Sequence, residues 1–113
     1  MIAVGIDVSK SKSTVAIINA DGTKRVTPFE VKHNLPELNA LVKYLNDLNE
    51  NIVILMEHTG HYHYPILKKL NDEGFQVCLV NPYQMKKYGD TELRRTKTDK
   101  KDAIRIATYA LEK

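Results

Sequence analysis

Asp99 and Asp102 stand three residues apart in the run Lys97-Thr98-Asp99-Lys100-Lys101-Asp102-Ala103, where the pattern predicts the start of a helix. Side chains at i and i+3 share one helical face, so both carboxylates should point the same way. Arg95, Lys97, Lys100 and Lys101 lie immediately upstream of the pair or between its members. Paired carboxylates in a basic setting suit a site that holds a divalent metal against a polyanion. Asp7 and Glu57 end two apolar, strand-like runs, and open α/β sheets carry their chemistry at the carboxyl ends of strands. Each acid alone has a plainer explanation: a turn carboxylate, a helix cap, a solvated strand end. Only a fold that brings all four together favours the metal reading.

That fold must be built from a short chain. A sequence of 113 residues makes one domain that buries roughly 65% of its unfolded surface. Its 42% hydrophobic and 27% charged content is that of a globular rather than a disordered protein. No apolar run approaches the roughly 20 residues of a membrane span, and Met1 runs straight into an apolar strand without a charged leader. The single Cys78 reads as a small buried hydrophobe; it cannot form an internal disulfide, in keeping with a reducing cytoplasm. The net charge of +3 is unevenly placed. From Lys86 to Lys101, seven basic residues (Lys86, Lys87, Arg94, Arg95, Lys97, Lys100, Lys101) face Asp90, Glu92 and Asp99, leaving that segment at +4. Beside an acidic pair, such a run is better read as a phosphate-backbone contact than as a solvated loop.

The elements that would position these residues follow from periodicity. Ile2–Val8 reads as a strand and Ser13–Asn19 as its hairpin partner, with Asp21-Gly22 turning into a third strand, Lys24–Lys32. Asn34 and Glu37 form a capping-box-like start, and Leu38, Leu41, Val42, Leu45 and Leu48 give the stripe of an amphipathic helix. Asn51–Met56 is a nearly continuous apolar run, as in a strand covered on both faces. A second helix carries Ile66, Leu67 and Leu70 and stops at Gly74. Phe75–Val80 is a fifth, largely covered strand, and Tyr83–Tyr88 a short helix. Gly89–Thr98 reads as a mobile loop before the last helix, whose stripe is Ala103, Ile104, Ala107, Ala110 and Leu111. That helix shows no C-cap signal before Lys113, so the chain is expected to continue as a longer protein of which this is the N-terminal domain. The order β-β-β-α-β-α-β-α is an antiparallel meander followed by parallel crossovers, a mixed five-stranded α/β sheet of RNase H-like type.

Four segments occur in order: Gly5-Ile6-Asp7-Val8-Ser9-Lys10, Glu57-His58-Thr59-Gly60-His61-Tyr62, Val80-Asn81-Pro82 and Lys97-Thr98-Asp99-Lys100-Lys101-Asp102-Ala103. Together they resemble the N-terminal, RuvC-like domain of the DEDD transposases, the bacterial insertion-sequence family that includes the pilin-gene inverting recombinases. The resemblance spans essentially the whole chain. It implies that Asp7, Glu57, Asp99 and Asp102 are the catalytic and metal-binding acids. It further implies Mg²⁺ or Mn²⁺ as cofactor, DNA as substrate, and strand cleavage and transfer during transposition. A C-terminal transposase domain contributing a serine, a synaptic homo-oligomer and, in some members, an element-encoded guide RNA belong to the same implication.

The residues themselves agree with phosphoryl transfer, in which hard oxygen ligands suit Mg²⁺ and two ions about 3.5–4 Å apart can serve nucleophile and leaving group. Lys10, Lys12, Arg94, Arg95, Lys97, Lys100 and Lys101 are the candidate nucleic-acid contacts. His58, His61 and His63 do not complete a zinc site, for want of a cysteine or a further histidine cluster. One of them is better placed to touch phosphate or to orient Glu57, and His33 reads as a surface residue. Two rival readings stay in view. An actin-like kinase also ends its first strand in an aspartate, but it needs a glycine-rich phosphate hairpin that Val8-Ser9-Lys10-Ser11 lacks. A non-catalytic RNase H-like nucleic-acid-binding module would not need all four acids.

Overall fold

Alternation in the first strand decides which side of the sheet each residue serves. The computed structural model describes residues 1–57, 60–85 and 99–112 in full, together with the backbone of 86–88. In β1 (Ile2–Val8), Ile2, Val4, Ile6 and Val8 enter one core, while Ala3 packs on the opposite face. A two-residue period sends alternate side chains to opposite faces, so Gly5 and Asp7 share the face of Ala3. β2 (Lys12–Ile18) and β3 (Lys24–Lys32) continue the antiparallel meander. β4 (Ile52–Glu57) pairs parallel with β1, and β5 (Val77–Val80) parallel with β4. The sheet order is β3-β2-β1-β4-β5, which makes β1 central and β5 an edge. The expected mixed five-stranded sheet is present.

The first face is covered by α1 (Leu35–Leu48) and α2 (Tyr64–Asp72). Leu38, Leu41, Leu45, Ile66 and Leu70 join the β1, β2 and β4 aliphatics there, each fully buried side chain contributing about 1.5–3 kcal/mol. At the start of α1 the Asn34 side chain accepts the Glu37 amide at 3.0 Å. The Glu37 carboxylate, however, accepts the Lys32 amide at 2.8 Å, so this cap ties α1 back to β3 rather than closing on Asn34 itself. α3 (Pro82–Tyr88) is capped at Asn81, which accepts the Gln84 amide at 2.9 Å.

The second face carries α4 (Asp99–Glu112), which crosses β1, β2 and β4. Its contact surface is made of small residues: Ala103 and Ala107 lie on Ala3 and Ala16, with Ile18 beside them. The approach is closest at Gly5. A Cβ there would fall under 3.0 Å from the Ala107 amide nitrogen and the Ala103 carbonyl oxygen, so only glycine lets the helix backbone rest on the strand. Ile106, absent from the stripe expected for this helix, is buried with Leu55, Val80 and Met85.

Several expectations need correction. Cys78 is exposed and free, not buried, and the neighbouring Leu79 is exposed too. The apolar run of β5 resembles a covered strand, but its position at the sheet edge leaves its middle open. His33 is half-buried rather than a surface residue. One ring nitrogen, Nε2, meets the buried Ser13 hydroxyl at 2.7 Å, while Nδ1 is buried without a partner among the described residues. The expected Gly89–Thr98 loop, with Arg94, Arg95 and Lys97, lies outside the described residues, as does His58.

Burial lowers the His33 pKa below the ordinary 6.5. The folded state then binds fewer protons than the unfolded chain around and just below that value, so stability rises with pH through this window. The contribution is present above about pH 6.5 and is lost as the pH falls below it. Melting curves between pH 5 and 7.5 should show this loss, and His33→Gln should flatten that part of the profile. An unchanged profile in the variant would mean that His33 stays solvated when charged.

Candidate active site

The acids come together at the carboxyl end of β1. One carboxylate oxygen from each of Asp7, Asp99 and Asp102 lies within 4.8 Å of the other two. Asp7 arrives because it follows Ala3 and Gly5 on the α4 face. Asp99 and Asp102 arrive because they occupy the first turn of α4 at the i, i+3 spacing, with Ala103 seated directly above Gly5. The glycine that admits the helix thus also sets the distance between the strand acid and the helix acids.

Glu57 stands beside this group. It is the register partner of Asp7 in the parallel β1–β4 ladder, so the two project to the same face of adjacent strands, which lie about 4.8 Å apart. Glu57 is half-buried but is not one of the three residues whose oxygens meet within that distance. No histidine of the described residues joins the group. His63 is buried at the start of α2 with its ring 4.5 Å from that of Tyr64, and His61 is exposed with its ring 4.9 Å from that of Tyr62.

Three clustered carboxylates repel one another, and a cation among them relieves that repulsion. Two like charges about 4 Å apart repel by about 1 kcal/mol in water and about 4 kcal/mol at an effective dielectric near 20. Asp99 is exposed, which moves its share toward the lower figure. The donor set fits a hard divalent ion. Mg²⁺ takes hard oxygen ligands and keeps several waters, so a few carboxylates from one strand and one helix suffice to hold it.

Resident cations already border the cluster, and one of them, Arg105, is absent from the candidates read off the sequence. Arg105, one turn beyond Asp102, donates from Nη2 to Asp102 Oδ1, with side chains 28% and 21% exposed. Its i, i+3 spacing from Asp102 is the sequence signal that points to it. Lys12 donates to Glu30 at 2.9 Å. That hydrogen bond and the charge of Glu30 raise the Lys12 pKa, and Asp99 adds a smaller pull, which places Lys12 on the rim of the acidic group. Lys10, Lys100 and Lys101 are exposed around the same end of the sheet, Lys10 in the β1–β2 turn and the other two in the first turn of α4.

No helix among the described residues is long and apolar enough to cross a membrane. The transposase family model of the DEDD, IS110 type matches residues 4–113. A transposase for insertion sequence element IS1533 from Leptospira borgpetersenii is 26% identical over 106 residues, covering 94% of this chain and 30% of that protein. A pilin gene-inverting protein from Moraxella lacunata is likewise 26% identical, over 94% of this chain and 33% of its own length. The chain thus spans about a third of the length of these curated relatives. Among solved structures, Thermus thermophilus RuvC in complex with a Holliday junction substrate superposes with a TM-score of 0.68 at 14% identity, covering 98% of this chain and 93% of that one. A second structure of Thermus thermophilus RuvC gives 0.66 at 16% identity. The fold is therefore that of RuvC, an RNase H-like sheet with a helix laid across its central strand, and the chain belongs to the DEDD transposase family.

Proposed function

We propose that this domain is the N-terminal catalytic part of a longer insertion-sequence transposase, cutting and transferring DNA strands with the help of a divalent metal. The convergence of Asp7, Asp99 and Asp102 at the end of the central strand carries the reading. These three would hold Mg²⁺ or Mn²⁺, with Glu57 as a fourth acid from the neighbouring strand. Bound there, the ion would supply Lewis-acid polarisation of a phosphoryl oxygen and of an attacking hydroxyl or water. The protein's own part is to fix its carboxylates on a rigid strand and helix, so that little reorganisation is needed when phosphate arrives.

DNA is supported as the substrate by the Holliday junction held in the RuvC complex and by the transposase relatives. Lys10, Lys12, Lys100 and Lys101 would border the phosphate path, with Arg94, Arg95 and Lys97 supplying further contacts from the segment that precedes α4. Such contacts position DNA without reading its sequence. The C-terminal domain, the synaptic oligomer and, in some members, the guide RNA that the family implies would belong to the longer protein, acting in the cytoplasm.

The test is duplex-DNA binding across a salt series, with and without Mg²⁺. Binding should weaken steeply with salt. The triple change Arg94→Ala, Arg95→Ala, Lys97→Ala should flatten the log K against log salt slope by up to about 0.9 unit per lost contact. A protein that ignores DNA at low salt would overturn the substrate assignment. A triple variant with an unaltered slope would move the DNA to another face.

A further inference from the structure

We infer that Arg105 is a built-in counter-ion of the acidic group, holding Asp102 in place while setting how tightly the cluster takes a divalent cation. The inference rests on the metal-site reading above and adds a residue to it. Arg105 and Asp102 are partners one helical turn apart, both less than a third exposed. The pair is more enclosed than the surface ion pairs of this protein, such as Lys43–Asp47 and Lys68–Asp72, whose side chains are all at least 60% exposed.

The guanidinium is used in an unusual way. A carboxylate facing an arginine fork commonly accepts two parallel bonds. Here Nη2 is engaged, while Nε is buried without a partner among the described residues. A buried donor left unsatisfied costs about 1–3 kcal/mol, so this placement is not the one that stability alone would select. It has a use at the acidic group, where an adjacent positive charge offsets the repulsion among Asp7, Asp99 and Asp102 in the metal-free protein.

The same charge opposes a metal ion. Asp102 serves two cations in turn, and a divalent ion drawn to its carboxylate must displace or share with the guanidinium. It must also tolerate a positive neighbour once bound. Arg105 therefore weakens metal affinity while it steadies the metal-free site. Lys12, held by Glu30 and only electrostatically felt by Asp99, cannot take over this part.

The test is Mn²⁺ titration of the wild-type protein, Arg105→Gln and Arg105→Lys, read by calorimetry and by melting temperature. Arg105→Gln should melt lower in EDTA than the wild type, yet bind Mn²⁺ about three- to tenfold more tightly. Arg105→Lys, which keeps the charge, should bind with a midpoint near that of the wild type. In the wild type itself, the Arg105 Nε–H resonance should shift as Mg²⁺ is added, and this readout serves even if Arg105→Gln fails to fold. Equal or weaker Mn²⁺ binding in Arg105→Gln, or an Nε–H resonance indifferent to Mg²⁺ while the protein binds it, overturns the counter-ion role and leaves the metal site standing. A wild-type protein that binds neither ion overturns the metal reading and this inference together.

Discussion

Gly5→Ala should lower the melting temperature by about 10 °C or more and abolish the response to divalent metal. The added methyl meets backbone atoms of α4 at both Ala103 and Ala107, so no side-chain rotation relieves the clash. Overpacking of a close contact costs about 1–3 kcal/mol and sometimes more. In a domain of this size each 1 kcal/mol corresponds to several degrees of melting temperature. The helix must rise off the sheet, carrying Asp99 and Asp102 away from Asp7. The opposite core, built from Ile2, Val4, Ile6 and the α1 and α2 aliphatics, does not touch this methyl. A cooperative but weakened transition with no metal response is therefore the expected signature. A Gly5→Ala protein that melts and binds metal normally would show that α4 does not rest on β1 as described.

Asp7→Asn should remove most of the stabilisation that millimolar Mg²⁺ or Mn²⁺ gives the wild-type protein. A ligand at a hundred times its dissociation constant stabilises the native state by about 2.7 kcal/mol, which is a shift of several degrees or more in a domain of this length. Asparagine keeps the shape of the side chain but removes the charge from the strand side of the cluster. Repulsion among the remaining acids falls, so the variant should keep a cooperative transition in EDTA. The retained transition in EDTA separates the lost metal response from a general loss of fold. A metal-induced rise equal in Asp7→Asn and the wild type would remove Asp7 from the ligand set.

The acids were legible in the sequence because each rule that located them is local. Alternation put Asp7 on a defined face of β1, and the i, i+3 spacing put Asp99 and Asp102 on one face of α4. Glu57 followed from the end of an apolar run, and its register with Asp7 came from the parallel pairing of β1 and β4. What the sequence hid depends on long-range placement. Cys78 looked buried because its neighbours are apolar, yet strand order sets β5 at the edge. His33 looked exposed beside a helix cap, yet Ser13 of β2 encloses it. Arg105 is not among the residues singled out from the sequence: its i, i+3 spacing from Asp102 is local, but the meeting of Asp102 with Asp7 depends on the seating of α4 on Gly5. The crowding at Gly5 itself has no local signature, since a glycine within an apolar strand is equally compatible with a bulge.

The seating of the last helix on the first strand also bears on how the protein is made. Contacts between segments this distant in sequence carry the largest loop-closure cost and tend to form late. During synthesis, β1 to β4 and the aliphatic side of the sheet can assemble first, leaving a bare strip of alanine and glycine along β1 and β2 until α4 emerges from the ribosome. A chain interrupted before that point holds Asp7 and Glu57 but not the other two acids. An incomplete translation product would thus have most of the fold but only half of the acids, so the cluster is completed only when the last helix closes over the sheet.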